Sequence, residues 1–115
     1  MERNIVTDAV VPAATLVDQE KYAVGVDGIK VAAAGDFVYG VVRTGRPADE
    51  ASEIITMGEC EAYCTTATGG AISAEDPLTG GASGQLQKAT IGTHPVRAFA
   101  LEDTAVDAAI QILLL

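Results

Sequence analysis

The chain has 115 residues, 49% of them apolar, and a formal net charge of −9. That length supports one domain with its own core, and the apolar share excludes wholesale disorder. The seven Lys and Arg residues form no run, so the chain has the wrong sign for pairing with phosphates, which excludes direct binding of DNA or RNA.

Residues 1–14 read as an N-terminal arm. Ile5, Val6, Val10 and Val11 suit a short extended segment, and Pro12-Ala13-Ala14 marks its boundary with a single β-domain spanning 15–115. Nothing near Met1 has the apolar core of a signal peptide, and no stretch approaches a membrane span, so synthesis in a cytoplasm is expected. A lone pair of cysteines fits that compartment.

From Tyr22 the period is that of a strand: Tyr22, Val24 and Val26 alternate with Ala23 and Gly25. Asp27-Gly28 then predicts a tight hairpin, because its turn needs positive φ. Ile29 and Val31 carry the return, and Phe37–Val42 forms the next strand. Gly40 inside that strand signals a bulge or a close backbone approach. Residues 43–52 form a polar loop. Residues 54–64 return to strand character with an interruption expected at Gly58; alternation puts Ile54, Thr56, Cys60, Ala62 and Cys64 on one side. Residues 65–81 read mostly as loop. Residues 84–115 supply a turn, a short strand, a strand over Val96–Leu101 and a closing strand. The only candidate helical turns are Asp49–Ser52 and Asp103–Asp107.

A weak internal repeat runs through these elements. Gly25-Val-Asp-Gly28 matches Gly81-Ala-Ser-Gly84, Gly35 matches Gly92, and Gly40 matches Ala98.

No set of residues reads as a catalytic centre. His94 is the single histidine, lies before Pro95 and has no nucleophile elbow to serve. Cys60 and Cys64 sit four apart on a strand, too far for a disulfide, and read as small buried hydrophobes. Glu59 and Glu61 read as a solvent-facing guard against strand pairing. The glycines of residues 80–84 lack the Lys-Ser/Thr of a phosphate loop. No catalytic residue, metal or cofactor is therefore expected. The run Leu113, Leu114, Leu115 should be buried on both faces or packed on another chain.

The last third carries a recognisable progression: Ile72-Ser-Ala-Glu-Asp-Pro-Leu78, Gly84-Gln-Leu86 with Lys88-Ala89, Val96-Arg-Ala-Phe-Ala-Leu101-Glu102-Asp103, then residues 109–114. It resembles the capsid decoration, or cement, proteins of tailed bacteriophages, with Glu-Asp at 75–76 where those chains carry Gly-Asp and Phe99 where they carry a small residue. The resemblance covers residues 70–115 well and 20–60 loosely. It implies an all-β fold, a small β-barrel or β-sandwich built from hairpins with an extended N-terminal arm. It also implies a non-enzymatic virion protein on the capsid exterior that stabilises contacts between major capsid protein subunits as a homo-oligomer, a dimer or trimer. On that reading Asn4, Ile5, Val6, Val10 and Val11 are arm contacts, Arg43 and Arg46 meet capsid carboxylates, and Leu113, Leu114 and Leu115 are where scaffold and subunit interface coincide. The alternative is a β-module binding a small molecule or carbohydrate, for which exposed aromatics would be expected.

Overall fold

The structure is a computed structural model and describes residues 2–115. The strands are β1 (Arg3–Val10), β2 (Ala23–Val24), β3 (Gly40–Thr44), β4 (Ser52–Cys64), β5 (Pro77–Gly80), β6 (Leu86–Lys88), β7 (Ala98–Ala100) and β8 (Ala108–Leu114). The fold is nearly all β. Its centre is a closed barrel of five strands in the order β4-β6-β5-β7-β8 and back to β4. This decides between barrel and sandwich.

The long strand β4 belongs to two assemblies. Its first half pairs with β3 (Val42 opposite Ile54) and its second half with β8, from Gly58 opposite Leu114 to Cys64 opposite Ala108. Glu59 pairs with both Leu113 of β8 and Arg3 of β1, so β1 and β8 lie on opposite edges of β4. Strand β6 closes the barrel through a parallel pairing, Cys64 with Leu86.

Across residues 56–58 the register with β1 shifts twice. Val6 pairs with Met57 and Thr7 with Ile55, which bulges Thr56 out of the ladder. Arg3 pairs with Glu59, which leaves an extra residue of β1 against Gly58. One extra residue exchanges the faces of a strand. As a result Ile55, not Ile54, joins Cys60, Ala62 and Cys64 in the main core. Ile54 faces a second cluster with Leu16, Val24 and Val42, against which Val10 and Tyr39 pack. The alternation expected of residues 54–64 is thus corrected at Thr56, and the interruption expected at Gly58 coincides with the second register shift. Beyond it the alternation holds, with Glu59, Glu61 and Tyr63 outward.

Small residues let these strands approach closely. A Cβ on Gly40 would lie 2.3 Å from the Ile55 carbonyl oxygen, so the expected close backbone approach is present. The strand anticipated over Phe37–Val42 begins only at Gly40, and Phe37 is exposed. The anticipated strand at Tyr22–Val26 is regular only over Ala23–Val24. Its hairpin is nonetheless formed, with Val24 bridged to Lys30 and the Gly25 N–H donating to the Ile29 carbonyl at 2.9 Å. Residues 65–81 contain β5, which a loop reading missed; Pro77 stands first in it, where a missing N–H is tolerated. Among the described residues the single helical turn is a 3-10 turn at Ala82–Gly84, and neither Asp49–Ser52 nor Asp103–Asp107 is helical.

The two matching glycine turns share a closing hydrogen bond and a left-handed glycine, although Ser83 has a positive φ of 58° and Asp27, its match, does not. Gly81 N–H donates to the Gln85 carbonyl at 2.8 Å, as Gly25 does to Ile29. Gly28 and Gly84 hold φ of 77° and 76°, values that suit glycine. The Gly84 N–H donates to the Val31 carbonyl at 2.7 Å, stitching the second turn to the return segment of the first.

The segment expected to be an arm is not free. Residues 3–10 are a strand of the domain's own sheet, antiparallel to β4. Met1 lies outside the described residues.

Candidate functional site

Strand β1 is an edge strand whose residues are exposed or at most half-buried. Asn4 is exposed with φ of 52° at the bulge. Ile5 packs on the main core and Val10 on the second cluster, so these expected contacts serve the fold. Val6 and its partner Met57 are each 51% exposed, and Val11 is exposed as well. Of the expected arm contacts, two apolar side chains, Val6 and Val11, are presented to solvent.

Two polar ties hold β1 across β4. The Tyr39 hydroxyl donates to Asp8 Oδ2 at 2.6 Å. That bond to a carboxylate raises the Tyr39 pKa above its ordinary value. The Arg43 Nε donates to Glu2 at 3.0 Å while its Nη1 donates to Glu53 at 3.0 Å. The Glu53 bond, with the charges of Glu2 and Glu53, raises the Arg43 pKa. Arg43, expected to meet capsid carboxylates, has carboxylate partners within its own chain. Arg46 is similarly paired, at 3.4 Å, with Glu50.

The C-terminal leucines separate. Leu114 is 1% exposed and belongs to the main core, Leu113 is half-buried opposite Phe99 and Glu59, and Leu115 is 46% exposed. The interface role expected of Leu114 is therefore corrected: β8 alternates, and Ile110, Ile112 and Leu114 all point into the barrel.

Sequence reasoning missed Arg97. Its Nη2 donates to the carbonyls of Tyr39 at 3.1 Å and Thr56 at 2.9 Å. The Thr56 carbonyl lies at the break between the β3 pairing of β4, which reaches Ile55, and the β8 pairing, which starts at Gly58. Partial burial lowers the Arg97 pKa. The one available signal was a lone cation inside the Val96–Leu101 strand pattern.

Cys60 and Cys64 are free and buried, and desolvation pushes each thiol up to about 12. His94 is held more firmly than a solvated loop residue: its Nδ1 accepts the Thr90 N–H at 3.1 Å, and its ring lies against Gly35. Among the described residues no group of three or more His, Cys, Asp or Glu is placed to hold a metal ion.

Two surface depressions lie near these residues. A groove of about 420 Å³ lies between the matched turns, with Leu16 and Val31 buried beneath it and Ala14, Ile29, Ala82 and Ser83 among its other lining residues. A charged cleft of about 240 Å³ is rimmed by Glu2, Glu20, Lys21, Arg43 and Glu61, and Ile55 and Cys60 also line it. Compared with protein-family models and with curated proteins, the sequence matches none.

Proposed function

We propose that this protein is a structural binding module that decorates the outer surface of a bacteriophage head and stabilises contacts between major capsid protein subunits. The observation that carries the reading is β1: an extended, exposed strand on a closed barrel, laid along one side of β4, with Val6 exposed opposite Met57 and Val11 exposed just past its end. A rigid barrel with an exposed apolar edge suits attachment to a protein lattice, since apolar side chains supply contact area without chemistry. The progression of residues 70–115 described above supports the same reading. On this proposal the chain acts without catalysis or cofactor, associates with itself as a dimer or trimer, and resides on the capsid exterior.

The test is co-sedimentation with purified heads of the cognate phage, before and after shell expansion. Saturable binding to expanded heads is expected, and it should weaken at least about tenfold, or 1.4 kcal/mol, when Val6 and Met57 are both replaced by Asp. Absence of binding to either head form sinks the proposal.

A second reading, a small-molecule module, is favoured by the groove between the turns. Its lining is mostly aliphatic and small, with Thr15, Lys30 and Ser83 as its polar positions, which suits an apolar ligand better than a carbohydrate. Thermal shift against apolar ligands, compared between the native chain and Ala82→Trp, separates it from the first reading.

A further inference from the structure

We propose that β1 is an exchangeable strand, and that the seat it occupies on β4 also accepts β1 of a second copy of this chain. The seat fits this strand in shape. A Cβ on Gly58, which holds φ of 109°, would lie 2.5 Å from the Asn4 carbonyl oxygen and 2.8 Å from Ile5 Cα. Only glycine leaves room there for the β1 bulge. The seat also fits in charge. It offers the Tyr39 hydroxyl and the Arg43 guanidinium, and β1 brings the carboxylates of Asp8 and Glu2 to meet them. Apolar contacts at both ends, Ile5 on the main core and Val10 on the second cluster, set the register. An incoming strand with this bulge, this carboxylate spacing and these apolar positions is β1 itself.

The link that would carry the exchange is short and well defined. Pro12 is buried and its carbonyl accepts the Asp49 N–H at 2.9 Å. Leu16 is buried and its N–H donates to the Arg46 carbonyl at 2.9 Å. Between these anchors Ala13, Ala14 and Thr15 are exposed. Opening that link moves β1 and Pro12 as a unit, and every contact they make can form again in the partner. Exchange of an identical element is a low-cost route to a dimer for this reason. Each copy carries −9, so repulsion opposes the dimer at low ionic strength and screening favours it.

The inference rests on the β1 seat and not on the capsid reading, and its test needs no phage heads. Chains carrying Val6→Cys and chains carrying Met57→Cys are unfolded together, refolded at high protein concentration and oxidised. Refolding the mixture removes slow exchange as an obstacle. Peptide mapping by mass spectrometry then identifies the links. Because residues 6 and 57 face each other across the ladder, the 6–57 link between chains should exceed the 6–6 and 57–57 links by about tenfold, given how specific disulfide geometry is. The dimer fraction should rise with salt. No interchain link, or no preference for 6–57, overturns the proposal. A second variant deletes Ala13 and Ala14, so that β1 cannot reach its own seat. A folded dimer by light scattering is expected, and a folded monomer overturns the proposal. The crosslink is read on the intact link, so a deletion that fails to fold does not shield the idea.

Discussion

The Tyr39 hydroxyl reaches over β4 to donate a 2.6 Å hydrogen bond to Asp8 Oδ2, joining the residue that precedes β3 to the first strand. Asp8 also accepts the Ala9 N–H through Oδ1 at 2.9 Å. The bond favours the neutral phenol, so the folded Tyr39 pKa lies above its unfolded value. A raised pKa contributes stability that is present below the unfolded value, about 10, and is lost as pH rises through the folded one. Hydrogen exchange of the β1 amides, corrected for the intrinsic pH dependence of exchange, should accelerate in that alkaline range while β8 stays protected. Tyr39→Phe should lose this pH dependence and show faster β1 exchange already at neutral pH. Unchanged β1 protection in Tyr39→Phe would remove the tie from the account.

The thiols give a second prediction. Both are pushed to about 12 by burial, whereas an unfolded thiol titrates near about 8.5. Only the thiolate reacts readily, so iodoacetamide at pH 8.5 should leave Cys60 and Cys64 unmodified in the native chain and modify both in denaturant. Between those pKa values the unfolded state releases protons that the folded state keeps, so stability should fall as pH rises. Rapid native labelling of either cysteine would contradict the burial described.

Glycine substitutions should sort by what their Cβ meets. Gly40→Ala would drive a methyl to 2.3 Å from the Ile55 carbonyl oxygen and 2.6 Å from Ile54 Cγ2. Urea denaturation should show a loss at or above the upper end of the ~1–3 kcal/mol typical of overpacking. A Cβ on Gly92 meets no atom within 4 Å at φ of 86°, so Gly92→Ala should cost only the backbone strain, about 1–2 kcal/mol. Gly58→Ala should instead release β1, seen as fast exchange of residues 3–10 with the barrel intact.

The terminal leucines should differ sharply. Leu114→Ala removes a side chain packed in the main core and should cost about 2–5 kcal/mol by denaturant titration. Leu115→Ala, at an exposed position, should stay within about 0.5 kcal/mol. Equal effects would place the C-terminus differently from the structure.

Arg97→Met should destabilise by about 1–3 kcal/mol, because the carbonyls of Tyr39 and Thr56 lose their donor. Lysine should recover only part of that, since its ammonium lacks the planar fork. Full rescue by lysine would show that charge alone matters there.

Much of the architecture was legible because it depends on local chemistry. Asp27-Gly28 and Gly81–Gly84 encode turns through backbone preference, and Ile110, Ile112 and Leu114 encode a half-buried strand through alternation. The all-β class and the hairpins follow from such patterns. What escaped the sequence depended on partners distant in the chain. Strand β5 is held by β6 and β7, so its Pro, Thr and Gly read as loop until those neighbours are in place. The faces of Ile54 and Ile55 exchange because of a register shift against β1, some fifty residues away. The role of Arg97 arises where β4 passes from its β3 pairing to its β8 pairing, and that of the Tyr39–Asp8 pair where a side chain crosses a strand. Residues 1–14 by themselves determined an extended, apolar segment ending at Pro12. Only the tertiary structure decided that this segment pairs with its own β4, because the glycine seat, the hydroxyl and the guanidinium that receive it are assembled there from β3, β4 and the residue before β3.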